Sequence, residues 1–160
     1  MTTLAFDGKT FAADSQVTYD EMRVGSMDKI VKVIGGTLGS AGSSEDCLIV
    51  EAWFDAGRPE PKPVLTSFIG LFIPDDGSAP QEYNEKLVAM ALPKNSPWVA
   101  GTGKRFALAA MLAGKTAPEA VEIAIKLDIY SGPPVLCHAL PMKPAVKLGS
   151  FQDSSLLDAE

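Results

Sequence analysis

The turn signals constrain this chain most, because they cut it into short β-type runs that fold back on one another before any helix begins. Thr2 to Phe6 and Lys9 to Ala13 flank Asp7-Gly8. That pattern predicts a tight hairpin, since a type I′ turn takes positive φ at both central residues. Val17 to Val24 and Lys29 to Leu38 follow as strands, the second reaching Gly35-Gly36 and Gly39. Ser43 to Phe54 predicts the first helix, with Ser43 or Ser44 as cap, Glu45 and Asp46 in the first turn and Gly57 as the stop. Its apolar residues Cys47, Leu48, Ile49, Val50, Trp53 and Phe54 run nearly all round it, which predicts extensive burial.

Arg58 to Pro63 alternates proline with other residues, which excludes a helix and favours an extended connector. Phe68 to Ile73 is an apolar β run closed by the turn Pro74-Asp75-Asp76-Gly77. Glu85 to Leu92 suits either a strand or a short helix, and Trp98 to Ala100 a brief strand before Gly101-Thr102-Gly103. Lys104 to Ala113 reads as a helix stopped by Gly114. Thr116-Ala117-Pro118-Glu119 is a capping box with proline in the first turn, opening a helix that buries Ala120, Ile123, Ala124 and Leu127. Val135 to Leu140 and Ala145 to Leu148 are closing strands. Strands, one helix, strands, two helices and strands suit two packed sheets with helices outside, not alternating βαβ units. The expectation is one α+β domain over residues 1–148 and an acidic tail over 149–160.

Composition removes several function classes. A net charge of −6, from 14 Lys and Arg against 20 Asp and Glu, argues against a nucleic-acid partner. Cys47 and Cys137 are the only cysteines, which excludes a disulfide framework and suits a reducing cytosol. Neither lies in a CxxC pair and His138 is the only histidine, so a zinc site lacks ligands and no metal or cofactor is expected. His138 lies in an apolar run and reads as a strand histidine. The start of the chain has no basic stretch ahead of an apolar one, and the uncharged run 63–74 is too short to span a bilayer. A cytoplasmic protein is expected. Gly101-Thr102-Gly103-Lys104 fails the phosphate-loop pattern at Arg105 and the dinucleotide fingerprint at Phe106.

Thr2 carries the chemistry that remains. A threonine hydroxyl is a poor nucleophile until a base lies within hydrogen-bond reach. At a chain start its own α-amine is that base, with an ordinary pKa of about 8. The small Thr2 side chain favours removal of Met1, which exposes this amine. A nearby lysine disfavours the protonated amine by like charge.

Five pieces in order resemble the proteasome β-subunit/HslV family of N-terminal-nucleophile (Ntn) hydrolases. They are Thr2-Thr3-Leu4-Ala5-Phe6 with Ala12-Ala13-Asp14-Ser15, Lys29-Ile30-Val31, Gly39-Ser40-Ala41-Gly42 with Glu45-Asp46-Cys47, Gly101-Thr102-Gly103, and Asp128-Ile129-Tyr130-Ser131-Gly132. The resemblance implies a four-layer αββα sandwich and a threonine peptidase acting through an acyl-enzyme. It implies Thr2 as nucleophile, Lys29 tuning its amine and hydroxyl, and Asp14 orienting Lys29. It also implies the Gly42 N–H as oxyanion donor, with Asp128, Ser131 and Thr102 (serine in the family) holding the Thr2 amine and a water. Thr18 matches a position whose backbone pairs with an extended peptide. Val17, Met27, Val31 and Ser40 would line a pocket for medium apolar side chains. The implied partners are a peptide or polypeptide substrate, a ring-type homo-oligomer and an unfoldase.

Lys32 competes with Lys29, but lies an odd number of positions away and so faces the other side of the strand. The first hairpin is a few residues shorter than the family's; a match without a gap at Leu4-Ala5-Phe6 puts Met1 at the nucleophile position and makes Thr3 an alternative. The stretch 57–68 has no room for the family's second helix, so one helical layer is reduced. A non-catalytic ring or scaffold subunit of the same fold, and an amidase acting on a small molecule, stand as alternatives.

Overall fold

The computed structural model describes residues 1–93 and 95–140, so the strand expected at 145–148 and the tail at 149–160 lie outside the described residues. β1 (Thr3–Phe6) and β2 (Thr10–Asp14) form the expected hairpin, with Leu4 opposite Ala13 and Phe6 opposite Phe11. Its turn is not type I′, because between the strands only Gly8 has positive φ, at 92°. Glycine at the first central position is the type II′ pattern.

Two runs expected as single strands are hairpins. β3 (Gln16–Tyr19) and β4 (Met22–Ser26) pair as a separate two-stranded ribbon turning at Asp20 and Glu21, with φ of 48° and 62°. β5 (Ile30–Val33) and β6 (Gly36–Gly42) turn at Ile34-Gly35. α1 (Ser44–Asp55) leads through the proline-rich connector to β7 (Phe68–Pro74) and β8 (Gln81–Asn84). Glu85 to Leu92, open to strand or helix by sequence, is a turn through Leu87 followed by the short β9 (Ala89–Ala91). β10 (Trp98–Gly101), α2 (Lys104–Leu112), α3 (Ala117–Leu127) and β11 (Val135–Ala139) complete the described fold.

The strands make two antiparallel sheets, β10-β1-β2-β11 and β5-β6-β7-β8-β9, besides the β3-β4 ribbon. Period-two alternation sorts the first hairpin between layers. Leu4, Phe6, Phe11 and Ala13 face the second sheet's Ile30, Ala41, Leu71 and Ile73, with Trp98 beside them. Ala5 and Ala12 face outward against Ala107, Ala110, Ala120, Val121 and Ala124 of α2 and α3. These small side chains let the helices lie close to the sheet. The sheets also approach closely where Gly39 passes the Phe11 ring, which a Cβ at 39 would overlap. α1 covers the outer face of the second sheet through Val50, Trp53 and Phe54, packed with Leu38, Phe72 and Tyr83. The order of layers is therefore helices, sheet, sheet, helix.

The caps are as expected. Ser43 accepts a hydrogen bond from the Asp46 N–H at 3.0 Å, and Thr116 and Glu119 form a reciprocal capping box. The burial of two helices differs from expectation. α1 is not buried all round, since Leu48 is 60% exposed and no second helix lies outside it among the described residues. In α3 the buried residues are Ala117, Ala120, Val121 and Ala124, while Leu127 is exposed. The connector partly replaces the missing helix. Arg58 lies over the rings of Phe54 and Phe72 at 5.4 and 5.6 Å and donates to the Tyr83 hydroxyl. Trp53 Nε1 donates to the Pro59 carbonyl, pinning the strap from its other side.

Candidate active site

The start of β1 is fixed by hydrogen bonds on consecutive residues. The Thr2 carbonyl accepts from the Thr102 N–H at 2.7 Å, with Thr102 Oγ1 3.3 Å away. The Thr3 N–H donates to Asp14 Oδ1 at 2.8 Å. Gly101 makes this close approach possible, because its φ is 88° and a Cβ there would overlap the Thr2 carbonyl. Thr3 is fully buried and its hydroxyl shares a hydrogen bond with Ser131 Oγ at 2.7 Å. Among the described residues, the Thr2 hydroxyl takes part in no hydrogen bond, and no buried side-chain oxygen or nitrogen is left unsatisfied.

Asp14 ends β2 with no exposed surface and has four donors around its carboxylate. Lys29 Nζ at 2.9 Å and the Thr3 N–H meet Oδ1, while the Gln16 and Gly132 N–H groups meet Oδ2 at 3.1 and 3.0 Å. Lys29, just before β5, is held among buried groups and also donates to the Met1 carbonyl at 3.1 Å. Burial lowers its pKa from the ordinary 10.5, against the opposing pull of Asp14. The desolvated ammonium gives up its proton more readily than a surface lysine. Lys32 instead forms a surface ion pair with Asp75 at 2.5 Å.

A second carboxylate lies on the far side of Thr2. Asp128 follows α3, and its Oδ2 accepts from Thr102 Oγ1 and Ser131 Oγ, both at 2.6 Å. Thr102, Asp128, Ser131 and Thr3 therefore form one hydroxyl-carboxylate chain beside the backbone of Thr2. Gly103 fits against this chain, since a Cβ there would overlap Thr3 Oγ1.

Gly42 ends β6 with φ of 141°, its α-carbon tight against the Ser67 carbonyl. Asp46 fixes that corner, accepting from the Ser67 N–H at 2.7 Å and from the Thr66 N–H and hydroxyl, each at 2.9 Å. The Ser67 N–H is the leading cause that lowers the Asp46 pKa below its ordinary 3.8, with Thr66 and Ser43 adding to it. Such a carboxylate contributes stability above its unfolded pKa and loses it as pH falls through the lower folded value. Thermal unfolding followed against pH should show a steep acid limb beginning below about pH 4. Asp46→Asn should lower the midpoint at neutral pH and flatten that limb; an unchanged limb would exclude Asp46 as its source.

Two cavities meet at Met1, Thr2, Ala41 and Gly42. The larger, about 930 Å³, extends over Phe68, Glu85 and the start of α2 at Lys104, Arg105 and Phe106. The narrower one is lined by Val17, Thr18, Met27, Lys29 and Ser40 on one side and α1 on the other. Thr2, Lys29 and Gly42 thus share one cavity, with Asp14 behind them. Val31, expected in the pocket, instead packs against the core under α1 with Val33 and Leu38 and lines neither cavity. His138 is partly exposed on β11, 3.5 Å from Asp28 Oδ2, and takes no part in this cluster. Sequence reasoning missed Glu51, Glu85, Lys104 and Arg105 as cavity residues. For Glu51 the available clue was its place at i+7 from Ser44, on one helical face with Cys47 and Leu48.

No protein-family model and no curated protein sequence matches the chain. Solved structures do. Eukaryotic HslV from Trypanosoma brucei superposes with a TM-score of 0.64 at 20% identity, over 87% of this chain and 98% of that one. BPH from Thiobacillus denitrificans gives 0.65 at 16% identity, over 89% and 98%. The same protein in complex with epoxomicin gives 0.67 at 17%, over 89% and 99%.

Proposed function

We propose, since the chain has the Ntn-hydrolase fold of the proteasome β/HslV type, that it is a threonine peptidase whose nucleophile is Thr2 once Met1 is removed. The observation that carries this reading is the Lys29–Asp14 ion pair, buried and aimed at the Met1–Thr2 peptide. Thr2 suits the role better than Thr3, whose hydroxyl and N–H are both committed to buried partners. With Met1 attached, the Thr2 nitrogen is an amide and has no basicity, so the unprocessed chain is latent.

In the processed chain the hydroxyl oxygen of Thr2 bonds to the scissile carbonyl carbon and its proton passes to the α-amine. Lys29, a like charge beside that amine, keeps more of it free. The oxyanion lies toward the Gly42 N–H, a donor of a kind worth about 3 kcal/mol in the transition state. Collapse breaks the C–N bond, the proton leaves with the departing amine, and an ester to Thr2 remains. Water then repeats the sequence and frees the acid. Asp14 is the positioning residue for Lys29; Thr102, Asp128 and Ser131 hold the amine and a water. Thr18 offers its strand backbone to an extended substrate.

Intact mass and inhibition test the reading together. The purified protein is expected to lack Met1, to hydrolyse peptides, and to gain the mass of an epoxyketone only in the processed form. BPH was solved with epoxomicin. Peptide cleavage by a chain that retains Met1 would overturn the mechanism. Retained Met1 without activity would favour a non-catalytic subunit. A ring-type homo-oligomer belongs to the same reading, supported by Leu112 and Leu127 exposed on α2 and α3. Sedimentation at high micromolar concentration is expected to show an assembly; a monomer would favour an amidase for small molecules, which needs no enclosed chamber.

A further inference from the structure

Glu51 is a partly buried carboxylate that no cation answers among the described residues. It is in none of the ion pairs among the described residues, and no hydrogen bond is made to it. It lies on the α1 face of Ser44, Cys47, Leu48 and Glu51, and this face is one wall of the narrow cavity that Thr2 and Gly42 open into. Val17 and Met27 are on the other wall. Burial raises the Glu51 pKa above its ordinary 4.5, and Asp55, one turn along the helix, raises it further. A cation entering the cavity would offset both effects by its attraction for the ionised carboxylate.

The other charged side chains of the cavity are already engaged, and the α-ammonium of Met1, which also borders it, is replaced on processing by the amine of Thr2. Lys29 is matched by Asp14 at 2.9 Å. Asp28 accepts from the Ile30 N–H at 3.0 Å and faces His138 at 3.5 Å. A cavity with Val17, Met27 and Leu48 in its walls and one unanswered carboxylate suits a side chain that is a hydrocarbon stem with a cationic end.

We infer that Glu51 makes the cavity beside Thr2 select arginine or lysine on the acyl side of the scissile bond. The methylenes lie along Val17, Met27 and Leu48, and the cation meets the carboxylate. This rests on the peptidase reading and sets a basic preference in place of the medium apolar one expected from Val17, Met27, Val31 and Ser40.

The test uses the processed full-length chain and matched fluorogenic peptides that differ only in the residue before the scissile bond: arginine, lysine, norleucine or glutamate. Arginine and lysine are expected to exceed norleucine in kcat/KM by about tenfold. Glu51→Gln should bring that ratio close to unity, Glu51→Lys should move the preference toward glutamate, and Asp28→Asn should leave the ratio in place. Hydrolysis that favours norleucine, or a basic preference that survives Glu51→Gln, overturns the inference and leaves the peptidase reading standing. Loss of the preference in Asp28→Asn alone assigns it to the wrong carboxylate and also overturns it. Failure to cleave any of the peptides, with no epoxyketone adduct, overturns the peptidase reading and this inference with it.

Discussion

Thr2→Ala is expected to lower peptide hydrolysis by about three orders of magnitude or more while leaving thermal stability nearly unchanged. On the proposed mechanism the activity loss follows from removal of the atom that would form the acyl-enzyme. Stability should hold because the Thr2 hydroxyl makes no hydrogen bond among the described residues, while the anchoring contacts of Thr2 run through its carbonyl. Thr2→Ser should retain part of the rate, since the same amine can take its proton. Thr3→Ala should do the opposite: it removes a fully buried hydroxyl from the Ser131-Asp128 chain, so its first effect is on stability. Steady-state kinetics with thermal melts on all three variants decides the matter. Activity surviving Thr2→Ala and vanishing in Thr3→Ala with the fold intact would move the nucleophile to Thr3.

Asp14→Ala is expected to cost about 3–5 kcal/mol of folding stability, the scale for removing one partner of a buried ion pair. The loss is compound. The Lys29 ammonium loses its counter-charge, and the Thr3, Gln16 and Gly132 N–H groups lose their acceptor. Lys29→Met should be much milder for stability, because the carboxylate keeps three backbone donors and a costly buried ammonium is gone. Both variants should lose nearly all peptidase activity. The double variant should be more stable than the sum of the single losses implies, since it leaves no unpaired charge. Denaturant titration of the four proteins measures this. Additive losses would mean the two side chains do not act as a pair in the folded protein.

The grouping of elements was legible because caps and stops are local chemistry. Ser43 and the Thr116-Glu119 box work through side chains a few residues from the groups they satisfy. The turn at Asp20-Glu21 was hidden because neither residue is glycine or asparagine, although both take positive φ. The turn at Ile34-Gly35 was hidden inside an apolar run that reads as continuous strand. β8, the polar segment Gln-Glu-Tyr-Asn, is a strand only because β7 offers it an edge. Among site residues, Lys29 could be separated from Lys32 by strand parity, and the buried pair with Asp14 agrees with that choice. Glu51 was invisible for a different reason: a glutamate on a helix reads as a solvated face until the wall opposite it is known.

The hydrogen bonds to the Thr2 carbonyl and the Thr3 nitrogen fix the peptide that follows Thr2, and the Met1 carbonyl ahead of it is held by Lys29. An affinity tag or fusion placed ahead of this residue would therefore behave as a protecting group on the reagent. On the proposed mechanism it would keep the Thr2 nitrogen an amide, so a well-folded tagged preparation would be silent whatever the competence of the processed chain. A handle attached elsewhere, or one removed to leave threonine as the first residue, keeps the free amine that the proposed mechanism needs.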